Sequence, residues 1–126
     1  MSKKILVVDD EKDVVFYLSA ILEDKGFNVS TATDGIEAVD AVKATLPDLV
    51  LLDITMPNQS GVKVYRQIKE NDALKSIPVI IISGILSEFK QFISTRKQVP
   101  PPEGYLEKPV SPSDVLFEVQ RLFSLN

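Results

Sequence analysis

Two short stretches of this chain are apolar almost throughout: "LVLL", Leu49 to Leu52, and "PVIIIS", Pro78 to Ser83. Both are short for helices, and the β-branched residues of the second favour a strand. A strand with no polar alternation has no face to turn to water. It must be covered on both sides, as happens in a parallel sheet flanked by helices.

The rest of the chain supplies that cover. Ile5 to Val8 read as a strand, and Lys12 to Lys25 as a helix in which Val14, Val15, Leu18, Ile21 and Leu22 recur at helical spacing before Gly26. Phe27 to Ala32 form a second strand. A helix begins at Asp34-Gly35, carries Ile36, Ala38, Val39 and Val42 on one side, and ends before Pro47. Asn58 to Gly61 read as a loop, and Val62 to Glu70 as a helix with Val64, Tyr65 and Ile68 inward. A helix is predicted over Leu86 to Lys97, then a stiff "VPPPEG" connection, a short strand at Tyr105 to Glu107, and a last helix over Ser113 to Phe123. Ser111 and Pro112 suit the cap and first turn of that helix. Its Val115, Val119 and Leu122 should face the sheet, leaving Leu116 and Phe117 turned partly outward. Five strands alternating with five helices make one α/β domain over residues 1–126.

Composition narrows the chemistry. The 126 residues include no Cys and no His. Disulfides, thiolate metal sites and imidazole catalysis are therefore excluded. A net charge of −4 gives no basic footprint for nucleic acid. No apolar run reaches membrane-spanning length, and "MSKKILVVDD" is too short in its apolar part for a signal peptide, so a soluble, cytoplasmic protein is expected.

In open α/β sheets, ligands bind beyond the carboxyl ends of the strands. Asp9 and Asp10 end the first strand, Asp53 the third and Ser83 the fourth, while Lys108 follows the fifth. Carboxylates gathered this closely repel one another, so a cation must enter or protons must bind. With only oxygen donors, that cation should be Mg²⁺ or Mn²⁺. Lys108 adds a positive charge and Ser83 a hydroxyl. Together they suggest a pocket for a phosphoryl group, with one carboxylate as nucleophile.

The motifs "VVDDE", "LLDITMP", "PVIIIS" and "YLEKP", in this order and spacing, resemble the receiver domain of two-component response regulators over essentially the whole chain. That resemblance implies a doubly wound, flavodoxin-like fold with strand order 2-1-3-4-5, for which a member of this family is a standing example. It implies that Asp53 accepts a phosphoryl group from a phosphohistidine on a sensor histidine kinase or histidine phosphotransfer protein. Asp10, Asp53 and the backbone carbonyl of Thr55 would bind Mg²⁺ directly, and Asp9 through water. Lys108 and Ser83 would hold the phosphoryl oxygens, and Tyr105 would change rotamer. The resemblance further implies a cis Lys108–Pro109 bond. Thr55 and Ile85, two residues beyond Asp53 and Ser83, suit no base, so a long-lived phosphate is expected.

Other readings fit less well. A flavin site needs a Ser/Thr/Gly-rich phosphate loop where this chain has "DDEKD". A phosphohydrolase with an aspartyl nucleophile carries a second acid where Thr55 stands. A receiver-like interaction module that is never phosphorylated is the alternative, and it would be expected to have lost an acid, the hydroxyl or the lysine. With no output domain in these 126 residues, a unit that docks or relays phosphate is expected, unless the chain is a fragment of a longer one. It would signal to a protein target, or self-associate, through the face of the fourth expected helix, fifth strand and last helix. Alternatively, Leu116 and Phe117 pack against the fourth expected helix, where Phe89 and Ile93 could meet them.

Overall fold

The computed structural model describes residues 2–54, 56, 60–84 and 101–124. Among them the order is β1 (Lys4–Val8), α1 (Lys12–Asp24), β2 (Asn28–Ala32), α2 (Gly35–Thr45), β3 (Leu49–Asp53), α3 (Ser60–Glu70), β4 (Val79–Ser83), β5 (Gly104–Glu107) and α4 (Pro112–Ser124). The helix expected over residues 86–97, with Phe89 and Ile93, lies outside the described residues, as do Thr55 and Ile85. All strand pairs are parallel, in the order β2-β1-β3-β4-β5. This is the doubly wound, flavodoxin-like sheet that the resemblance implies.

Strand periodicity divides the core in two. Leu6, Val8, Val50, Leu52, Val79 and Ile81 point to one face, where Ala38 and Val42 of α2 and Val64, Tyr65 and Ile68 of α3 cover them. Ile5, Val7, Leu49, Leu51, Ile80 and Ile82 point to the other, under Val15, Leu18 and Leu22 of α1 and Val115, Val119 and Leu122 of α4. Every residue of β3 and β4 is buried, as their unbroken apolar runs require.

Local signals set the helix starts. Asp34 accepts a hydrogen bond from the Glu37 N–H at 2.8 Å, while Glu37 reaches back to the Thr33 N–H at 2.9 Å. The first bond satisfies an orphan donor of α2, and the second ties down the residue before the cap. Ser111 caps α4 through the Asp114 N–H at 3.2 Å, and Pro112 opens the helix.

Three expectations need correction. Ile36 is 81% exposed and not part of the inward stripe of α2. Two residues along a helix turn about 200°, so once Ala38 and Val42 face the sheet, Ile36 cannot. Leu116 turns inward enough to pack on the α1 and α4 side of the core, while its neighbour Phe117 is 67% exposed. Helix α3 also starts at Ser60, ahead of the expected Val62, so the loop is shorter.

Gly61 explains how the first turn of α3 fits there. A Cβ at this position would collide with the Cα of Ile54 and the carbonyl oxygen of Asp53. The helix start therefore packs directly on the end of β3. Gly61→Ala should lose about 1–3 kcal/mol of stability by overpacking, measured by urea unfolding. Gly84→Ala, with nothing within 4 Å of the added Cβ, should stay within about 0.5 kcal/mol.

Candidate functional site

Parallel register brings the polar residues together. Val8 lies level with Leu52, so the residues that follow, Asp9 and Asp53, leave adjacent strands at the same height. Asp53 lies level with Ile82, and Ser83 with Glu107, so Ser83 and Lys108 close the same end of the sheet. Hydrogen bonds from Asp9 N–H to the Ala32 carbonyl, Ile54 N–H to the Ile82 carbonyl and Lys108 N–H to the Ser83 carbonyl extend the ladder just past the strands. These bonds hold the backbone of the site as firmly as the sheet beneath it.

Carboxylate oxygens of Asp9, Asp10 and Asp53, one from each, lie within 4.8 Å of one another. Asp9 and Asp53 are buried and Asp10 is exposed. Lys108 extends its ammonium among them, 3.0 Å from Asp9 Oδ2 and 3.4 Å from Asp53 Oδ2. The Lys108–Pro109 peptide bond is cis. Ser83 is fully buried at the end of β4, and Tyr105 is half-buried on β5. Thr55 lies outside the described residues.

One neighbour of Lys108 was not singled out from the sequence. Glu11 stands at the N-cap position of α1, yet its side chain makes no cap. Its carboxylate lies 3.8 Å from the Lys108 ammonium. The run "VVDDE" holds the only hint, since an acid at a cap position ordinarily reads as a helix start.

Charge balance decides what the pocket can take. Burial raises the Asp9 carboxyl to about 6; the Glu11 N–H and the Lys108 ammonium oppose this, and the charge of Asp53 adds to it. Burial also works against the Lys108 ammonium, but hydrogen bonding to Asp9 and the charges of Asp53 and Asp9 prevail, and its pKa is raised. Among the described residues, three carboxylates against one close ammonium leave the cluster short of positive charge. Oxygen donors alone, converging from two strand ends, fit a small hard dication such as Mg²⁺. Asp9, Asp10 and Asp53 are the residues that could hold it.

A metal-free site of this kind should cost stability. Between about pH 4 and pH 6 the folded protein keeps a proton on Asp9 that the unfolded chain has lost, so stability falls as pH rises through that window. Asp9→Asn, which never ionises, should therefore be more stable than the parent by about 1–3 kcal/mol above the window. The advantage should shrink as pH falls through about 6. Thermal unfolding in a chelator across this range measures both.

Known proteins resemble this chain. Residues 5–120 match the family described as the response regulator receiver domain. The alkaline phosphatase synthesis transcriptional regulatory protein PhoP of Bacillus subtilis (strain 168) is 34% identical over 122 residues, covering 97% of this chain and 49% of that protein. The chain thus spans about half the length of this curated relative. Among solved structures, the chemotaxis response regulator CheY4 of Vibrio cholerae superposes with a TM-score of 0.84 at 28% identity, covering 97% of this chain and 99% of that one. The signal receiver domain of a signal transduction histidine kinase from Syntrophus aciditrophicus gives 0.83 at 30% identity, covering 98% and 91%. A doubly wound parallel sheet, an acidic cluster at the carboxyl ends of its strands and a family match over nearly its whole length agree: the chain belongs to the response regulator receiver domain family of two-component signalling.

Proposed function

We propose that Asp53 is the phosphoryl acceptor of this receiver domain, working with Mg²⁺ and taking its phosphoryl group from a phosphohistidine on a sensor histidine kinase or histidine phosphotransfer protein. The observation that supports this most is the convergence of the Asp9, Asp10 and Asp53 oxygens within 4.8 Å, with the Lys108 ammonium 3.4 Å from Asp53 Oδ2. An interaction module that works without phosphorylation would have no use for such a costly cluster.

Asp53 attacks phosphorus through a carboxylate oxygen as the phosphorus–nitrogen bond of the donor breaks, and the imidazole leaves with a proton. An aspartyl phosphate results. A bound dication would offset the carboxylate charges and polarise the phosphoryl oxygens. Asp10 would ligate it directly together with Asp53 and the Thr55 carbonyl, and buried Asp9, already engaged with Lys108 and the Glu11 N–H, would do so through water. Once a phosphoryl group occupies Asp53, Lys108 lies within reach of its oxygens. The Ser83 hydroxyl, from the adjoining strand, hydrogen-bonds another.

Tyr105 would change rotamer in response, and the readout surface would include β5 and the exposed Phe117 of α4. A protein target docks there, or a second copy of the chain on activation. Either partner must prefer the phosphorylated state for the equilibrium to move. Among the described residues no helix is long and apolar enough to cross a membrane.

Incubation with Mg²⁺ and a small acyl-phosphate donor should add one acid-labile, hydroxylamine-sensitive phosphate, detected by mass. Asp53→Asn should lose it, and unchanged labelling of that variant would remove the assignment. In calorimetric titration with Mg²⁺ alone, Asp10→Ala should weaken binding by roughly tenfold or more, an extent typical of disturbing a metal site. Asp9→Ala should have the smaller effect, and equal affinity of both variants and the parent would count against the ligand roles.

A further inference from the structure

Far from the acidic cluster, at the opposite end of the sheet, a second charged group is buried. Lys69, in the last turn of α3, is 5% exposed. Its ammonium donates to both carboxylate oxygens of Glu103 at 2.9 Å, to the Ile77 carbonyl at 3.0 Å and to the Lys75 carbonyl at 3.3 Å. Glu103, one residue before β5, also accepts from the Val79 N–H at 2.7 Å. From the other face of the sheet, Arg121 of α4 donates to the Glu103 carbonyl at 3.1 Å. The entry to β5 is thus tied to α3, β4 and α4 at once. Phosphoryl transfer as described above uses none of these groups.

The spacing gives the clamp a consequence. Glu103 and Tyr105 are two residues apart and leave the chain on one face of the sheet, where Tyr105 packs with the cluster that contains Tyr65, while Leu106 packs on the other. Tyr65 and Lys69 are four residues apart on one side of α3. Four helical residues rise about 6 Å and two strand residues about 6.6 Å, so the two pairs match in pitch. Because α3 runs against the strand direction, joining Lys69 to Glu103 brings Tyr65 toward Tyr105.

Resting on the reading of Tyr105 as the responding residue, we propose that the Lys69–Glu103 pair sets the register of α3 on β5 and that Tyr65, seated by it, is a positioning residue for Tyr105. Tyr65 is fully buried. Burial raises its phenol, and the charges of Glu103 and Tyr105 raise it further, so both groups lie within electrostatic reach of its hydroxyl. A ring so placed forms part of the wall against which Tyr105 turns inward. The clamp holds that wall still while the carboxyl end of β5 answers to the phosphoryl group.

The test uses the chain's three tyrosines, Tyr17, Tyr65 and Tyr105, as fluorine reporters in protein labelled with 3-fluorotyrosine. Resonances are assigned by single Tyr→Phe changes and followed with Mg²⁺, before and after addition of beryllofluoride. In the parent, the Tyr105 resonance should shift on activation. Lys69→Met combined with Glu103→Gln keeps an acceptor for the Val79 N–H and removes both charges. It should lose that shift while Asp53 is still labelled at the parental rate by the acyl-phosphate donor. Tyr65→Phe retains the ring and keeps the test open if the double variant does not fold; it should move the Tyr105 resonance already in the resting state. Labelling of Asp53 with Tyr105 behaving as in the parent in both variants would overturn the inference alone. A parent that is not labelled, or whose Tyr105 does not respond, would overturn the reading beneath it as well.

Discussion

Repulsion among Asp9, Asp10 and Asp53 is the constraint from which the rest of this structure takes its meaning. Two of these carboxylates, Asp9 and Asp53, are buried, and the Lys108 ammonium lies close to both. Left to itself such a cluster would spread apart or protonate; at Asp9 burial is the larger cause of the raised pKa, and the charge of Asp53 adds to it. What prevents spreading is the sheet. Each acid leaves a strand whose backbone is hydrogen-bonded on both sides and whose preceding residues are packed into a two-sided core. A cation entering such a cluster would relieve repulsion that the hydrogen-bonded strands hold in place.

The same frame accounts for the placing of the other functional groups. Lys108 can reach Asp9 and Asp53 because β5 is level with β4 at Ser83 and Glu107. Gly61 lets α3 start directly against the Asp53 carbonyl at the end of β3. At the far end, the Lys69–Glu103 pair anchors β5 where it enters the sheet. Strand β5 is thus held at its entry by this pair, while Lys108 follows its exit and Tyr105 stands between.

Much of the site was legible in the chain before any fold was known. A carboxylate placed where an apolar run stops, twice, and a lysine after a short strand are local facts, and the rule that ligands gather beyond strand carboxyl ends joins them. Less legible were residues whose role depends on what faces them. Ile36 has the composition of a core residue but the wrong angle on α2. Glu11 resembles a helix-start acid until its distance to Lys108 is known. Lys69 and Glu103 are separated by 34 residues, and nothing local marks either as half of a pair.

By itself the sequence determined the class of fold, through two runs with no solvent face, and the chemical class of the site, through oxygen-only donors at the ends of those runs. Burial and donor chemistry are properties of residue type and short-range period, so they survive without coordinates. Only the tertiary structure decided register: which carboxylate lies beside which, how close Lys108 comes, and which turn of α3 reaches the residue before β5. Register is a relation between distant segments, and its energy comes from contacts that no single segment contains.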